Sequence, residues 1–333
     1  MSMTDRFARL QVAHPKDDAL PDPYVRPDVR QFLDWLNALP GLKTYEVGPI
    51  EARKMILASR HVADASTGEL AVISDLSCPG PGGEIDLRLY DARERREAGP
   101  LFLFLHGGGF VFGDLDTHEP FCAEMARALD MPVLAVDYRL APENPWPAGV
   151  EDSIAAARWA AASPGALGRD VTGLVLCGDS AGGNFAIVVA LALRDEPADV
   201  PVLAQWPIYP AADPGKGYPS KEDFGEGYVL TRPSMDWFEE CYCADEADWR
   251  YSPLVKSQAG MPATLVTTAS LDPIRDQGRA YAAACVEAGV RTIFMEAEGT
   301  VHGFINLRRA VPSAADDISR GVAALKLLLG EGR

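Results

Sequence analysis

Apolar positions along the chain change rhythm several times, and the changes divide it. Near the start they recur at helical spacing: Phe32, Leu33, Trp35, Leu36 and Leu39 predict a helix over residues 29–39, with a second around 47–58. Short apolar runs at 70–73 and 85–90 flank the Pro- and Gly-rich turn 79–83 and read as an antiparallel strand pair. The charged stretch 93–96 reads as a loop. Then Leu101-Phe102-Leu103-Phe104-Leu105 runs without a polar position, as in a strand covered on both faces. From there buried strands and helices alternate. The expected order is helix 117–129, strand 133–136, helix 147–162, strand 174–176, a helix after Ser180, strand 202–206, strand 263–268, helix 278–288, strand 292–295 and helix 315–329. Repeated βα units predict an α/β fold with a mostly parallel central sheet flanked by helices. In such folds ligands bind beyond the carboxyl ends of the strands.

The alternation stops between Pro207 and Pro262, a stretch punctuated by prolines and glycines with one short helix at 235–238. An excursion this long between two core strands is uncommon unless functional. Taken with the helices that precede the first strand, it reads as a mostly helical two-part cap. The expected divisions are 1–65 for the first part, 66–206 with 263–333 for the catalytic domain, and 207–262 for the inserted second part.

Composition narrows the choices. With 333 residues, 47% hydrophobic and 24% charged, the chain can bury one large α/β core plus an accessory segment. A formal net charge of −17 argues against nucleic acid or an anionic membrane as partner, since both select basic surfaces. No run approaches 18 apolar residues and the first ten residues hold no apolar h-region, so a cytoplasmic, unanchored protein is expected. Six cysteines are scattered without a C-x-x-C pair. Cys241 and Cys243 lack metal-ligand spacing and a nearby histidine, so free thiols, no metal and no cofactor are expected.

The chemistry gathers around Gly178-Asp179-Ser180-Ala181-Gly182-Gly183. An apolar strand leads in and an apolar helix leads out, so Ser180 stands at the apex of a sharp turn with a glycine two residues to either side. Only small neighbours let strand and helix approach so closely. The helix N-terminus that follows presents free N–H groups to a developing negative charge. We read Ser180 as a nucleophile, which requires a base. Of five histidines, His14 and His61 precede the sheet, His118 is expected to bond locally, and His106 abuts three glycines and reads as loop-shaping. His302 follows the last strand, where a base for Ser180 must stand. Asp272 follows the strand 263–268 and reads as the carboxylate that orients the imidazole. Its rival Asp276 looks like a helix N-cap, and Glu298 lies too near His302 in sequence. Finally, His106-Gly107-Gly108-Gly109-Phe110 follows a strand end with its N–H groups unshielded. Gly108 and Gly109, joined by the N–H of Ala181, read as an oxyanion hole.

Taken together, the blocks His106 to Gly109, Asp137 to Glu143, Gly178 to Gly183, Asp272 to Asp276 and His302 to Phe304 resemble the hormone-sensitive-lipase-like family of α/β-hydrolases, the bacterial family IV esterases. The likeness covers roughly 101–329, and Asp179 before the serine suggests its GDSAGG branch. It implies an α/β-hydrolase fold with a two-part cap, Ser180 as nucleophile, His302 as base and Asp272 as acid. It also implies a small-molecule carboxylic ester of short to medium chain as substrate, and a possible homodimer. Asp179, Phe110 and Ile274 are expected to line the substrate pocket. Trp206, Phe224 and Trp237 are further aromatic candidates. The block Asp137 to Glu143 reads as a buried polar network. Deacetylase, lactonase or amidase action on the same triad is an alternative, as is a non-catalytic ligand-binding member of the fold such as the plant gibberellin receptors.

Overall fold

A computed structural model describes residues 22–330. The beginning of the expected first cap segment, His14 with it, and residues 331–333 lie outside the described residues.

Among the described residues, eight strands form one sheet in the order β1-β2-β4-β3-β5-β6-β7-β8. They are β1 (Val72–Gly80), β2 (Gly83–Asp91), β3 (Gly99–Leu105), β4 (Val133–Asp137), β5 (Val171–Asp179), β6 (Val202–Ile208), β7 (Ala263–Leu271) and β8 (Thr292–Val301). β1 pairs antiparallel with β2, and β2 with β4; every other pairing is parallel. The period-2 rule sorts the side chains of the central strands. Leu101, Leu103, Leu105, Leu174 and Leu176 join one core, while Phe102, Phe104, Val175 and Cys177 join the other. The first core packs against α5 (Ala148–Ala161), α6 (Ala181–Asp195) and α9 (Arg275–Glu287). The second packs against α4 (Glu119–Leu129) and α10 (Ala314–Leu329). α6 is apolar all round and accordingly buried from Ala181 to Leu191.

The first strand runs further than the apolar run 70–73 suggests. Its inward positions are Val72, Ser74, Leu76 and Cys78, and the polar Ser74 and Asp75 disguise the alternation. The hairpin loop shrinks to Pro81-Gly82, because Gly80 still pairs with Gly83. β7 and β8 likewise run longer than expected, which brings Asp272 and His302 directly onto their ends.

Among the described residues, three helices precede the sheet: α1 (Pro27–Ala38), α2 (Thr44–Val47) and α3 (Pro49–Ala63). Gly48 at φ 77° separates the last two, so the helix expected at 47–58 starts two residues later. Long-range bonds tie this segment down. Arg26 binds Asp317 of α10, Asp64 binds Arg308 at 2.7 Å, and the Arg53 guanidinium donates to the carbonyls of Val111 (2.8 Å) and Ala141 (2.9 Å). The excursion after β6 holds α7 (Pro219–Asp223) and α8 (Arg232–Tyr242), the latter longer than the helix expected at 235–238. It is fastened by Asn184 of α6, whose Nδ2 donates to the carbonyls of Ala211 (2.8 Å) and Tyr251 (2.9 Å).

Candidate active site

Ser180 joins β5 to α6 at φ 54° and ψ −116°. Its N–H donates to Ile208 (2.9 Å), and its carbonyl accepts from Asn184 (3.0 Å) and Ala211 (3.2 Å). The flanking glycines are sterically required. A Cβ on Gly178 would collide with the Gly182 carbonyl, and one on Gly182 with the carbonyls of Leu105 and His106. The side chain is thereby lifted into the space beyond the sheet.

His302 follows β8, and Asp272 follows β7. His302 Nε2 lies 2.9 Å from Ser180 Oγ, and its Nδ1 lies 2.7 Å from Asp272 Oδ2. Asp272 is fully buried, and its other oxygen accepts the N–H of Ile274 at 2.9 Å. The hydroxyl, imidazole and carboxylate thus stand in one hydrogen-bonded series, 92 and 30 residues apart along the chain (272 − 180 and 302 − 272). Asp276 is not an N-cap: α9 starts at Arg275, and Asp276 in its first turn pairs with Arg275 and accepts the N–H of Ser220 at 3.1 Å.

Opposite the hydroxyl, the chain after β3 turns through Gly108 (φ 123°), Gly109 (φ 60°) and Phe110 (φ 65°). A Cβ on Gly108 would strike the Phe112 carbonyl, and one on Gly109 the Phe238 ring. The N–H groups of Gly108, Gly109 and Ala181 find no acceptor among the described residues, which leaves them free for a developing oxyanion.

Beneath this loop lies a buried polar cluster that is more extensive than the sequence suggests. Asp179 Oδ1 accepts the Gly107 N–H at 2.7 Å. Burial pushes the Asp179 carboxyl up, but His118 beside it and the Gly107 N–H outweigh that and hold it below its ordinary range. His118 bonds Thr117 next door at 3.0 Å, yet its Nε2 also reaches Asp179 (3.4 Å) and Asn306 (2.8 Å). His118 is therefore no merely local residue. His106 stacks on Tyr138, whose hydroxyl donates to the His106 carbonyl at 2.6 Å. Complete burial, with His118 adjacent, lowers the His106 pKa to about 4. The rest of the block after β4 is less buried than expected. Arg139 pairs with Asp152 at 2.7 Å, while Glu143 is exposed and pairs with Arg53 at 2.6 Å.

A cavity of 610 Å³ opens over Ser180. Its wall includes Asp179, Phe110 and Ile274, as expected, although the Asp179 carboxylate is turned to Gly107. Trp206, Phe224 and Trp237 do not border it; Trp206 is buried in the core and donates to Thr267 at 2.9 Å. The aromatics that do are Tyr45, Phe112, Phe238, Tyr242 and Tyr251, chiefly from helices over the sheet. Among the described residues no group of three or more His, Cys, Asp or Glu could hold a metal ion, and no helix is long and apolar enough to cross a membrane.

The alpha/beta hydrolase fold family matches residues 102–306, more than half the chain. The chain belongs to that family. Within it, the hydrolase is 42% identical to the carboxylic ester hydrolase LipN of Mycobacterium tuberculosis, over 76% of this chain and 70% of that one. It is 34% identical to the ethyl acetate hydrolase of Pseudomonas putida, over 91% and 98%. Among solved structures it superposes with a TM-score of 0.87 on an α/β hydrolase from the metagenome of Lake Arreo, Spain, at 35% identity over 92% and 99%. A Pyrobaculum calidifontis esterase gives a TM-score of 0.83 at 32% identity, over 91% and 99%. These relatives agree with the likeness to hormone-sensitive-lipase-like esterases carried by the motifs.

Proposed function

We propose that this hydrolase is a carboxylesterase acting on small-molecule esters of short to medium chain. Ser180 Oγ attacks the ester carbonyl while His302 Nε2 takes its proton. The charge that forms on the carbonyl oxygen is received by the N–H groups of Gly108, Gly109 and Ala181. Asp272 keeps the His302 ring oriented and offsets its positive charge. His302 then protonates the leaving alcohol, and water, activated by the same imidazole, releases the acyl group from Ser180.

The observation that carries this reading is the unbroken series from Ser180 Oγ through His302 to Asp272 at 2.9 and 2.7 Å, opening into an apolar-walled cavity. Its volume of 610 Å³ falls in the range of small-molecule sites, about 300–1,000 Å³. Three of the four relatives named above are ester hydrolases by name, which supports the same class. Segments 1–65 and 207–262 complete the proposal as a two-part cap, with a cytoplasmic location and a homodimer.

Ser180→Ala is expected to abolish hydrolysis of p-nitrophenyl acetate and butyrate, leaving only ~10³–10⁴-fold acceleration over water, with an unchanged circular dichroism spectrum. Turnover near the parent level would overturn the assignment. An ester, lactone and amide panel separates carboxylesterase from deacetylase, lactonase and amidase action.

A further inference from the structure

His118, which the mechanism above does not use, reaches two of the loops that meet at Ser180 directly and the third through Asp179. His118 stands just before α4, 6% exposed. Its Nε2 lies 3.4 Å from Oδ1 of Asp179, the residue before Ser180, and 2.8 Å from the Asn306 amide, four residues beyond His302. The Asn306 Oδ1 is otherwise buried without a partner, and the amide turned over presents that oxygen to an Nε2–H that also faces Asp179. That same Asp179 oxygen accepts the N–H of Gly107, which opens the loop of bare amides. The contact is tight: a Cβ on Gly107 would collide with the Asp179 carboxylate.

The imidazole itself has little freedom. Nδ1 accepts from Thr117 Oγ1 at 3.0 Å, which leaves the ring proton on Nε2, and that hydroxyl receives the Asp114 N–H at 2.9 Å. The Phe104 and His106 rings lie 5.7 and 5.6 Å from it, centroid to centroid. A buried carboxylate is expensive unless hydrogen-bonded and offset in charge. Besides the Gly107 N–H, Asp179 has Tyr209 Oη at 3.4 Å and His118.

We propose that His118 is a positioning residue for the esterase reaction: by holding the Asp179 carboxylate, it fixes the Gly107–Gly109 amides against the apex that carries Ser180. The inference rests on the carboxylesterase reading and goes beyond it, since His118 borders the cavity but makes no hydrogen bond to Ser180, His302 or Asp272. Its effect falls on the oxyanion and not on ground-state binding, because the amides are needed when the carbonyl oxygen becomes charged.

The test compares His118→Ala, His118→Asn and His118→Gln in the full chain, with Ser180→Ala as control. Gln carries an N–H donor at the length of Nε2 and can still reach Asp179; Asn carries one only at the length of Nδ1. For p-nitrophenyl butyrate, Ala and Asn are expected to lower kcat about 10- to 100-fold, as small misplacements of catalytic groups do. KM should stay within about threefold, since uniform binding is untouched. Inhibition by an aryl trifluoromethyl ketone, whose serine adduct bears the oxyanion, should weaken in step with kcat. Gln should restore both kcat and inhibition. A readout independent of turnover is the Gly107 amide proton, which should move upfield in Ala and stay in place in Gln. The proposal is overturned if Ala keeps the parent kcat and inhibition, if KM changes while kcat holds, or if a folded Gln variant loses as much as Ala. Should Ala fail to fold, the contrast between Asn and Gln decides in the same way. A parent enzyme that hydrolyses no ester, or hydrolysis that survives in Ser180→Ala, instead removes the carboxylesterase reading. In that case the amide shift alone decides whether His118 holds the loop.

Discussion

Ser180 at φ 54° and ψ −116° occupies backbone space that costs an L-residue on the order of 1–3 kcal/mol. Three backbone hydrogen bonds and the close approach of Gly178 to Gly182 hold it there. Removing the side chain should therefore relieve strain. Ser180→Gly is expected to unfold at higher urea than the parent, by about 1 kcal/mol, while ester hydrolysis disappears. Equal or lower stability in a urea titration would contradict the strain. Asp272→Asn tests the other end of the series. Asn can still accept the Ile274 N–H, but offers no second oxygen to His302 Nδ1 and no charge. A fall in kcat of about 10⁴-fold with little loss of stability is expected, measured on p-nitrophenyl butyrate.

At the scale of elements, α6 does two things. Its first turn aims free N–H groups at the Ser180 apex, and Asn184, one turn in, grips the excursion between β6 and β7 at two carbonyls. Asn184→Ala is expected to leave the sheet intact and to loosen that excursion. Trypsin should then cut faster at Lys216, Lys221 or Arg250, with no new cuts in α4 or α5; an unchanged digest would show that other contacts suffice. Such an anchor leaves no local signal in a sequence. The βα alternation was legible because it is local: Leu101 to Leu105, Val133 to Val136 and, in α6, Phe185 to Leu193 are apolar at every position, and α4 and α10 carry their periodicity openly. Ser180, Asp272 and His302 were legible as candidates because each stands at the end of a strand next to small or turn-forming residues. The partners of Asn184 and the reach of His118 to Asn306, 188 positions away, are products of folding alone. The same blindness misdirected the aromatic candidates. Nothing local distinguishes Trp206, locked behind Gly321, from Phe238, which lies against Gly109 at the cavity.

Over the whole molecule, one buried and one half-buried group tilt stability with pH in opposite senses. Burial, with His118 adjacent, takes the His106 pKa from an unfolded value near 6.5 to about 4. The unfolded chain thus binds the extra proton between those values, and stability falls as pH drops from 6.5 towards 4, by at most about 3 kcal/mol. Burial, with Asp114 and Asp86 nearby, takes the Asp137 pKa from 3.8 up to about 7. There the native state holds the extra proton, and stability falls as pH rises from 3.8 to 7. Asp137→Asn should consequently raise the melting temperature at pH 8 and bring no comparable gain at pH 4. A uniform gain, or none at pH 8, in calorimetry across that range would remove the assigned burial cost.

The candidate reacting groups end β5, β7 and β8, but much of the cavity wall comes from residues 36–64 and 229–242, laid over the sheet and never woven into it. Appetite and chemistry are consequently written in different parts of the polypeptide. Grafting those two stretches from a relative will exchange the shape of molecule admitted while the machinery that cuts it stays as it was.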